Sequence, residues 1–174
     1  MKVALCGKMA SGKTTIADLL STQTEFSKYS LGGKVKEVAY SIFGMDPEFK
    51  DRHLLQQIGM KMREIQPDVW IEAVMLQVAR DKAANAVVDD VRFVNEARKF
   101  KKNGWILIKL DIPDDLQVDR LKKTYPDNWV DHVSNRHDPS EAEVDQVPED
   151  WFDLIIDVED GIDNWHLIRD YLFL

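Results

Sequence analysis

A chain of 174 residues with a formal net charge of −8 is long enough for one domain with a buried core, and too acidic to coat nucleic acid through a broad basic face. Its single cysteine, Cys6, excludes an internal disulfide, and no apolar run reaches the ~20 residues that a membrane-spanning helix needs. The opening "MKVALCG" lacks the layout of a signal peptide, so the expected location is the cytoplasm.

In chain order, "KVALC" (2–6) reads as a strand and "KTTIADLLSTQ" (13–23) as a helix with Ile16, Leu19 and Leu20 on one face. "FSKYSL" (26–31) is a second strand. "GKVKEVAYSIFG" (33–44) is a helix with Val35, Val38, Ala39 and Ile42 inward, closed by Gly44. "DRHLLQQIGMKMREIQ" (51–66) is helical up to Pro67, and "DVWIEAVMLQVARDKA" (68–83) is a helix with Asp68 as its N-cap. Then come a strand "NAVVDDVRF" (85–93), a helix "VNEARKFKKN" (94–103), a strand "WILIKLDI" (105–112) and a helix "DDLQVDRLKKT" (114–124). Residues 125–150 are polar, acidic and irregular; a last strand (152–158) and a closing helix (162–173) follow. Near-continuous apolar strands alternating with helices imply a five-stranded parallel sheet covered on both faces, a three-layer α/β/α fold in one domain, 1–174. Ligands of such sheets sit beyond the carboxyl ends of the strands.

Between the first strand and first helix lies G-x-x-x-x-G-K-T: Gly7, Gly12, Lys13 and Thr14, with Ala10, Ser11 and Thr15 in or beside the loop. This is the P-loop pattern, and the strand before it and helix after it are the context it needs. Gly7 and Gly12 permit backbone angles closed to other residues, and the loop amides with the helix N-terminus form an anion nest. Lys13 would reach the β- and γ-phosphates of ATP, and the Thr14 hydroxyl would ligate Mg²⁺. Asp89 and Asp90 end an apolar strand, where a carboxylate is costly unless it meets water or metal; they are the candidate Mg²⁺ partners, and strand alternation turns them to opposite faces. Cys6 reads as a small core residue.

A guanine-nucleotide switch would need DxxG and NKxD segments. "DDVRF" is not the first, and the second does not occur. A DNA motor would be larger and more basic. Transfer of a γ-phosphoryl group remains; it is mostly positioning and charge neutralisation, and calls for cations from several loops. Arg92 follows the paired acids, Arg52 and Arg63 bracket "HLLQQIGMKM", Lys34 and Lys36 open the helix after strand two, and Arg120 and Arg136 flank or enter the polar segment. The four histidines and one cysteine have no zinc-ligand spacing.

"GKMASGKTT", "SLGGKVKEVAYSIFG", "LLQQIGMKMREIQPDVWI", "VVDDVRFVNEA" and "SNRHDPSEAEVD" together resemble a P-loop nucleoside monophosphate kinase, closest to the bacteriophage deoxynucleoside monophosphate kinases. The likeness covers most of the chain; the pairing of Arg63, Asp68 and Trp70 with "DDVRFxNE" narrows it. The resemblance implies ATP and Mg²⁺ as cofactors and a nucleoside monophosphate as acceptor; composition argues against a nucleic-acid or membrane partner, and a homodimer stays open. It implies an acceptor region over about 32–80 in which Lys34, Arg63, Trp70 and Arg92 bind the acceptor, with Trp70 stacking on the base. It also implies a lid over about 120–138 whose Arg120 and Arg136 join Lys13 and Arg92 in catalysis, and a weaker place for Ser140 and Glu141 by the nucleotide. An acceptor phosphate is already anionic, so no strong general base is required. A P-loop kinase for phosphomevalonate, gluconate or dephospho-coenzyme A is the nearest alternative, and a non-catalytic nucleotide-binding regulator the alternative of another class.

Overall fold

The structure is a computed structural model that describes residues 1–134 and 143–173. Five parallel strands, β1 (Lys2–Cys6), β2 (Ser27–Tyr29), β3 (Ala86–Val91), β4 (Ile106–Asp111) and β5 (Leu154–Asp157), lie in the order β2-β3-β1-β4-β5. The helices are α1 (Lys13–Gln23), α2 (Leu31–Phe43), α3 (Arg52–Ile65), α4 (Val69–Arg80), α5 (Val94–Lys102), α6 (Asp114–Thr124), α7 (Trp129–Ser134) and α8 (Asn164–Phe173). The expected three-layer arrangement is present. Alternation along each strand divides the core in two. Val3, Leu5, Val87, Ile108, Leu110 and Ile156 face α1 and α8, whereas Ala4, Cys6, Val88 and Leu107 face the layer of α2 to α5.

Local chemistry fixes the element ends. The Ser30 hydroxyl accepts from the Gly33 amide at 2.9 Å, which starts α2 at Leu31 and cuts strand two short of the expected 26–31. Gly44, at φ 65°, closes α2. Within that helix Val35 and Ala39 are buried as expected, but Ile42 is 72% exposed, because the core-facing stripe has rotated away by the last turn. Asp51 caps α3 by accepting from the Leu54 amide at 2.9 Å. The stretch expected to be irregular contains α7 and two short 3₁₀ turns, Glu143–Gln146 and Glu149–Trp151, which place Val144 and Val147 in the core.

β3 carries the irregularity that matters for the site. Ala4 pairs with Val88, but the next pair is Cys6 with Val91, so β3 holds one extra residue at Asp89–Asp90. A bulge of this kind re-aims side chains at a strand's end. Here it sends Asp90 to the start of α2 and Asp89 to Lys28 of β2.

Candidate functional site

The P-loop leaves β1 at the carboxyl edge of the sheet, flanked by the ends of β3 and β4. Three of its residues have positive φ: Gly7 at 146°, Ala10 at 63° and Gly12 at 100°. Gly7 has a second reason to be glycine. A Cβ there would stand 2.4 Å from the Leu110 carbonyl oxygen, a backbone atom with no room to retreat. Gly7→Ala is therefore expected to displace the loop and weaken ATP binding at least tenfold, while Gly12→Ala, strained in φ but meeting no atom within 4 Å, is milder; equilibrium binding of ATP to both variants checks the order.

Gly12 is also the N-cap of α1 and offers no side chain to the first-turn amides. Those N–H groups and the helix dipole are therefore directed at the loop, the usual makings of a phosphate site. Lys13 is 6% exposed and its ammonium donates to the Lys8 carbonyl at 2.5 Å and to Ser11 Oγ at 3.2 Å. Ser11 is fully buried, and Thr14 and Thr15 stand exposed in the first turn of α1. Positive-φ backbone, an uncapped helix start, a lysine held in the loop and an exposed hydroxyl together fit the phosphates of ATP.

Helix α6 holds the loop from behind. Gln117, fully buried, donates from Nε2 to the Met9 carbonyl at 3.0 Å, and Arg120 donates from Nη1 to the Ala10 carbonyl at 3.2 Å. A second Arg120 nitrogen reaches the Glu159 carbonyl at 3.4 Å. Lys8 pairs with Asp114 at 3.5 Å and with Asp145 at 2.9 Å. Gln117 is not among the residues that the sequence motifs point to. Its signal was a polar residue four positions before Leu121, on the buried stripe of a helix.

The paired acids, the candidate Mg²⁺ partners, turn to different neighbours, as strand alternation implies. Asp90 Oδ1 accepts from the Leu31 amide at 2.8 Å, and its Oδ2 accepts from the Gly32 amide and the Ser30 hydroxyl, each at 2.7 Å. It serves as an N-terminal cap of α2. Burial pushes its carboxyl pKa up, opposed by the two amides, while the charge of Asp89 adds to the rise. Asp89, 6% exposed, pairs with Lys28 at 3.0 Å, and Lys28 also pairs with Asp18 of α1 at 2.8 Å. With both carboxylates engaged, and with no cluster of three metal-ligating side chains among the described residues, a protein-built cage is not what this edge offers. Mg²⁺ does not need one: it commonly keeps its waters and binds through substrate phosphates with few protein ligands, and the Thr14 hydroxyl fits that role.

On the far side of the P-loop, the β3–α5 turn and α3 build a second group of side chains. Glu96 is 1% exposed and its Oε2 accepts from the Arg92 amide at 3.0 Å and the Phe93 amide at 3.2 Å. Its Oε1 accepts from Arg63 Nη2 at 3.0 Å. The Arg63 guanidinium lies 4.6 Å from the Phe93 ring centroid, and its Nη1 donates to the Gly59 carbonyl at 3.2 Å. Burial pushes the Glu96 carboxyl pKa up, and the Arg92 amide, the Arg63 charge and the Phe93 amide act against that. Burial likewise pushes the Cys6 thiol up to about 12, with Lys13 lowering it and Glu96 raising it. One buried thiol thus feels both the P-loop lysine and the Glu96 carboxylate, which sets the Arg63–Glu96 pair close to the loop.

One acceptor-side expectation needs correction. Trp70 is 3% exposed and its indole N–H donates to the Gly59 carbonyl at 3.2 Å, so the ring packs in the core and does not offer a stacking face. Lys34 is turned back onto Glu37 at 2.7 Å, a pair one turn apart on α2. Arg92 stands at the sheet edge after β3 as expected. Arg136, Ser140 and Glu141 lie outside the described residues, as does the end of the expected lid; its described part is α6, the following turn and α7.

A family model described as AAA domain matches residues 3–144. The chain belongs to the AAA-domain family. Among solved structures, this AAA-domain chain is similar to TT1252 from Thermus thermophilus, with a TM-score of 0.61 at 12% identity, covering 99% of this chain and 96% of that one. Shikimate kinase from Aquifex aeolicus gives a TM-score of 0.52 at 18% identity, covering 99% of this chain and 94% of that one. Shikimate kinase from Acinetobacter baumannii in complex with shikimate gives 0.52 at 19%, covering 98% and 90%. At these identities the likeness is one of fold. A comparison with curated proteins found no match. No described helix is long and apolar enough to cross a membrane.

Proposed function

We propose that this AAA-domain chain is an ATP- and Mg²⁺-dependent phosphotransferase whose acceptor is a (deoxy)nucleoside monophosphate. The observation that carries the reading is the placing of cations from separate elements on either side of one P-loop. Arg120 of α6 grips the loop at Ala10, and Arg63 of α3 is fixed by Glu96 on the opposite side. A protein that only bound nucleotide would have no use for the second group. Many of the residues that build it, Arg63, Arg92, Phe93 and Glu96, fall in the two segments that narrow the resemblance to the phage kinases.

In this reading an acceptor phosphate oxygen forms a bond to the γ-phosphorus while the bond from that phosphorus to the β–γ bridging oxygen breaks, its electron pair leaving with ADP. Lys13 and the α1 amides stabilise charge on the β- and γ-oxygens, and the arginines orient the two phosphates in line. The Thr14 hydroxyl would hold Mg²⁺, which when bound would supply charge neutralisation at the phosphates. Asp89 and Asp90 keep the sheet edge in shape: one locks α2, the other ties β3 to α1 through Lys28.

The burial of Trp70 favours a second reading, a P-loop kinase for a small acceptor without a base. Competition with a dinucleoside polyphosphate separates the two. Under the first reading it displaces ATP with an affinity at least tenfold tighter than either mononucleotide, because it spans both halves of the site. Affinity no better than that of ATP would favour the second.

A further inference from the structure

Where α2 meets the start of α3 and the end of β3, four cations lie within electrostatic reach of one another. The positive charges of Lys36 on α2, of Arg52 at the start of α3 and of Arg92 after β3, together with partial desolvation as the largest influence, lower the Lys50 pKa. Among the described residues no carboxylate pairs with Lys36, Lys50 or Arg52. Helix α7 brings a fifth group to the same place. His132 is 8% exposed, its ring stacked on Tyr125 with centroids 4.0 Å apart and planes 19° apart, and its Nε2 is buried with no hydrogen-bond partner. The groups that face it are Arg52 from α3, Lys50 from the segment before α3, Tyr125 from the end of α6 and Asp131 on its own helix. Burial, then Arg52, holds the His132 pKa below its usual value, with Asp131 opposing and Lys50 adding.

Such an arrangement is poorly explained as a fold device. Like charges gathered as Lys36, Lys50 and Arg52 are, with no carboxylate paired to them among the described residues, destabilise a folded chain, and an orphaned buried nitrogen costs the desolvation of that atom. Both are relieved by one kind of partner: a compact dianion with several acceptor oxygens, which meets the cations and takes a hydrogen bond from an imidazolium Nε2.

We propose that Lys36, Lys50, Arg52 and His132 form a binding site for a phosphomonoester dianion, which α7 covers and which is the docking place of the acceptor's phosphate. This rests on the acceptor-kinase reading above. It adds to the acceptor side Lys36 on α2, Lys50 just before α3, Arg52 at its start, and His132 on α7. His132 is the sensing member: neutral at neutral pH without ligand, it takes a proton from solvent when the dianion arrives. Anion binding and His132 protonation then favour each other, so dianion affinity rises as pH falls toward the ligand-free His132 pKa. The sign is the same for folding: a base with a depressed pKa adds stability above its unfolded pKa near 6.5, lost as pH falls through the folded value.

The test is binding of the four deoxynucleoside 5′-monophosphates, their nucleosides, glycerol 3-phosphate and inorganic sulfate to the full chain, with the His132 ring proton followed by NMR across pH. Sulfate is included because it does not titrate in this range, so any proton taken up comes to the protein. The expected results are binding of the dianions but not of the nucleosides, a rise in the His132 pKa on adding sulfate or monophosphate, and about a tenfold loss of affinity in Lys50→Ala and in Arg52→Ala. Lys50 is exposed, so its variant folds; unchanged ATP affinity confirms this for both. His132→Gln is expected to abolish the pH dependence and keep most of the affinity. Preference for the deoxynucleoside monophosphates over glycerol 3-phosphate assigns the dianion to a nucleotide, and equal affinity assigns it to small phosphomonoesters in general. Monophosphate affinity unchanged in Lys50→Ala and Arg52→Ala, or a His132 pKa indifferent to both dianions, overturns the proposal. Site binding as described with no transfer of phosphate from ATP would leave the site standing and remove the kinase reading.

Discussion

Lys13→Ala is expected to lower phosphoryl transfer by at least about 10²–10³-fold while leaving the melting temperature close to that of the parent chain. The lysine is 6% exposed and donates within its own loop, to the Lys8 carbonyl and Ser11 Oγ. Removing it loses these local hydrogen bonds, which the P-loop backbone is expected to survive because Gln117 and Arg120 hold Met9 and Ala10 independently. The charge it brings to the γ-phosphate has no replacement at that spot. Acceptor affinity, measured without ATP, should be unchanged. A variant that kept its rate would show that the P-loop is not where the donor phosphates sit.

Glu96→Ala should be the most destabilising single substitution at the site. It leaves the Arg92 and Phe93 amides without their acceptor and strands the Arg63 guanidinium, of which 28% of the side chain is exposed. Breaking a buried pair in this way costs about 3–5 kcal/mol. For a chain of this length, that is a fall in melting temperature on the order of 10 °C. Glu96→Gln keeps the volume and one accepting oxygen, but turns an NH₂ toward groups that are themselves donors. It should lose less stability, yet raise the acceptor KM with little change in the ATP KM, because Arg63 is no longer aimed. The double variant Arg63→Ala/Glu96→Ala should be less damaging than the sum of the two single changes. Strict additivity would mean that the two residues do not act as a unit.

Much of the fold was legible because its signals are local. Apolar runs of strand length separated by helical periodicity required a covered parallel sheet, and all five strands fall inside the expected segments. The P-loop was legible for the same reason: its geometry is set within eight residues. What was not legible depends on partners far away in the chain. That Asp90 caps α2 follows from the meeting of β3 with Ser30, Leu31 and Gly32, about sixty residues earlier. Trp70 reads equally well as a stacking ring or a core ring, and the packing of α3 against α4 decides for the core. Glu96 sat in plain view in "VNEA", but its importance comes from a strand bend and an arginine thirty-three residues upstream.

The account's central claim is that two substrates meet at this sheet edge. It is tested most directly by incubating the chain with ATP, Mg²⁺ and a panel of acceptors while following ADP release: deoxynucleoside monophosphates, phosphomevalonate, gluconate, shikimate and dephospho-coenzyme A. The account predicts that at least one deoxynucleoside monophosphate accelerates ADP release and appears as the diphosphate in equal amount, and that the others do not. ATP binding with no stimulation by any monophosphate, or stimulation by a non-nucleotide acceptor alone, would contradict it.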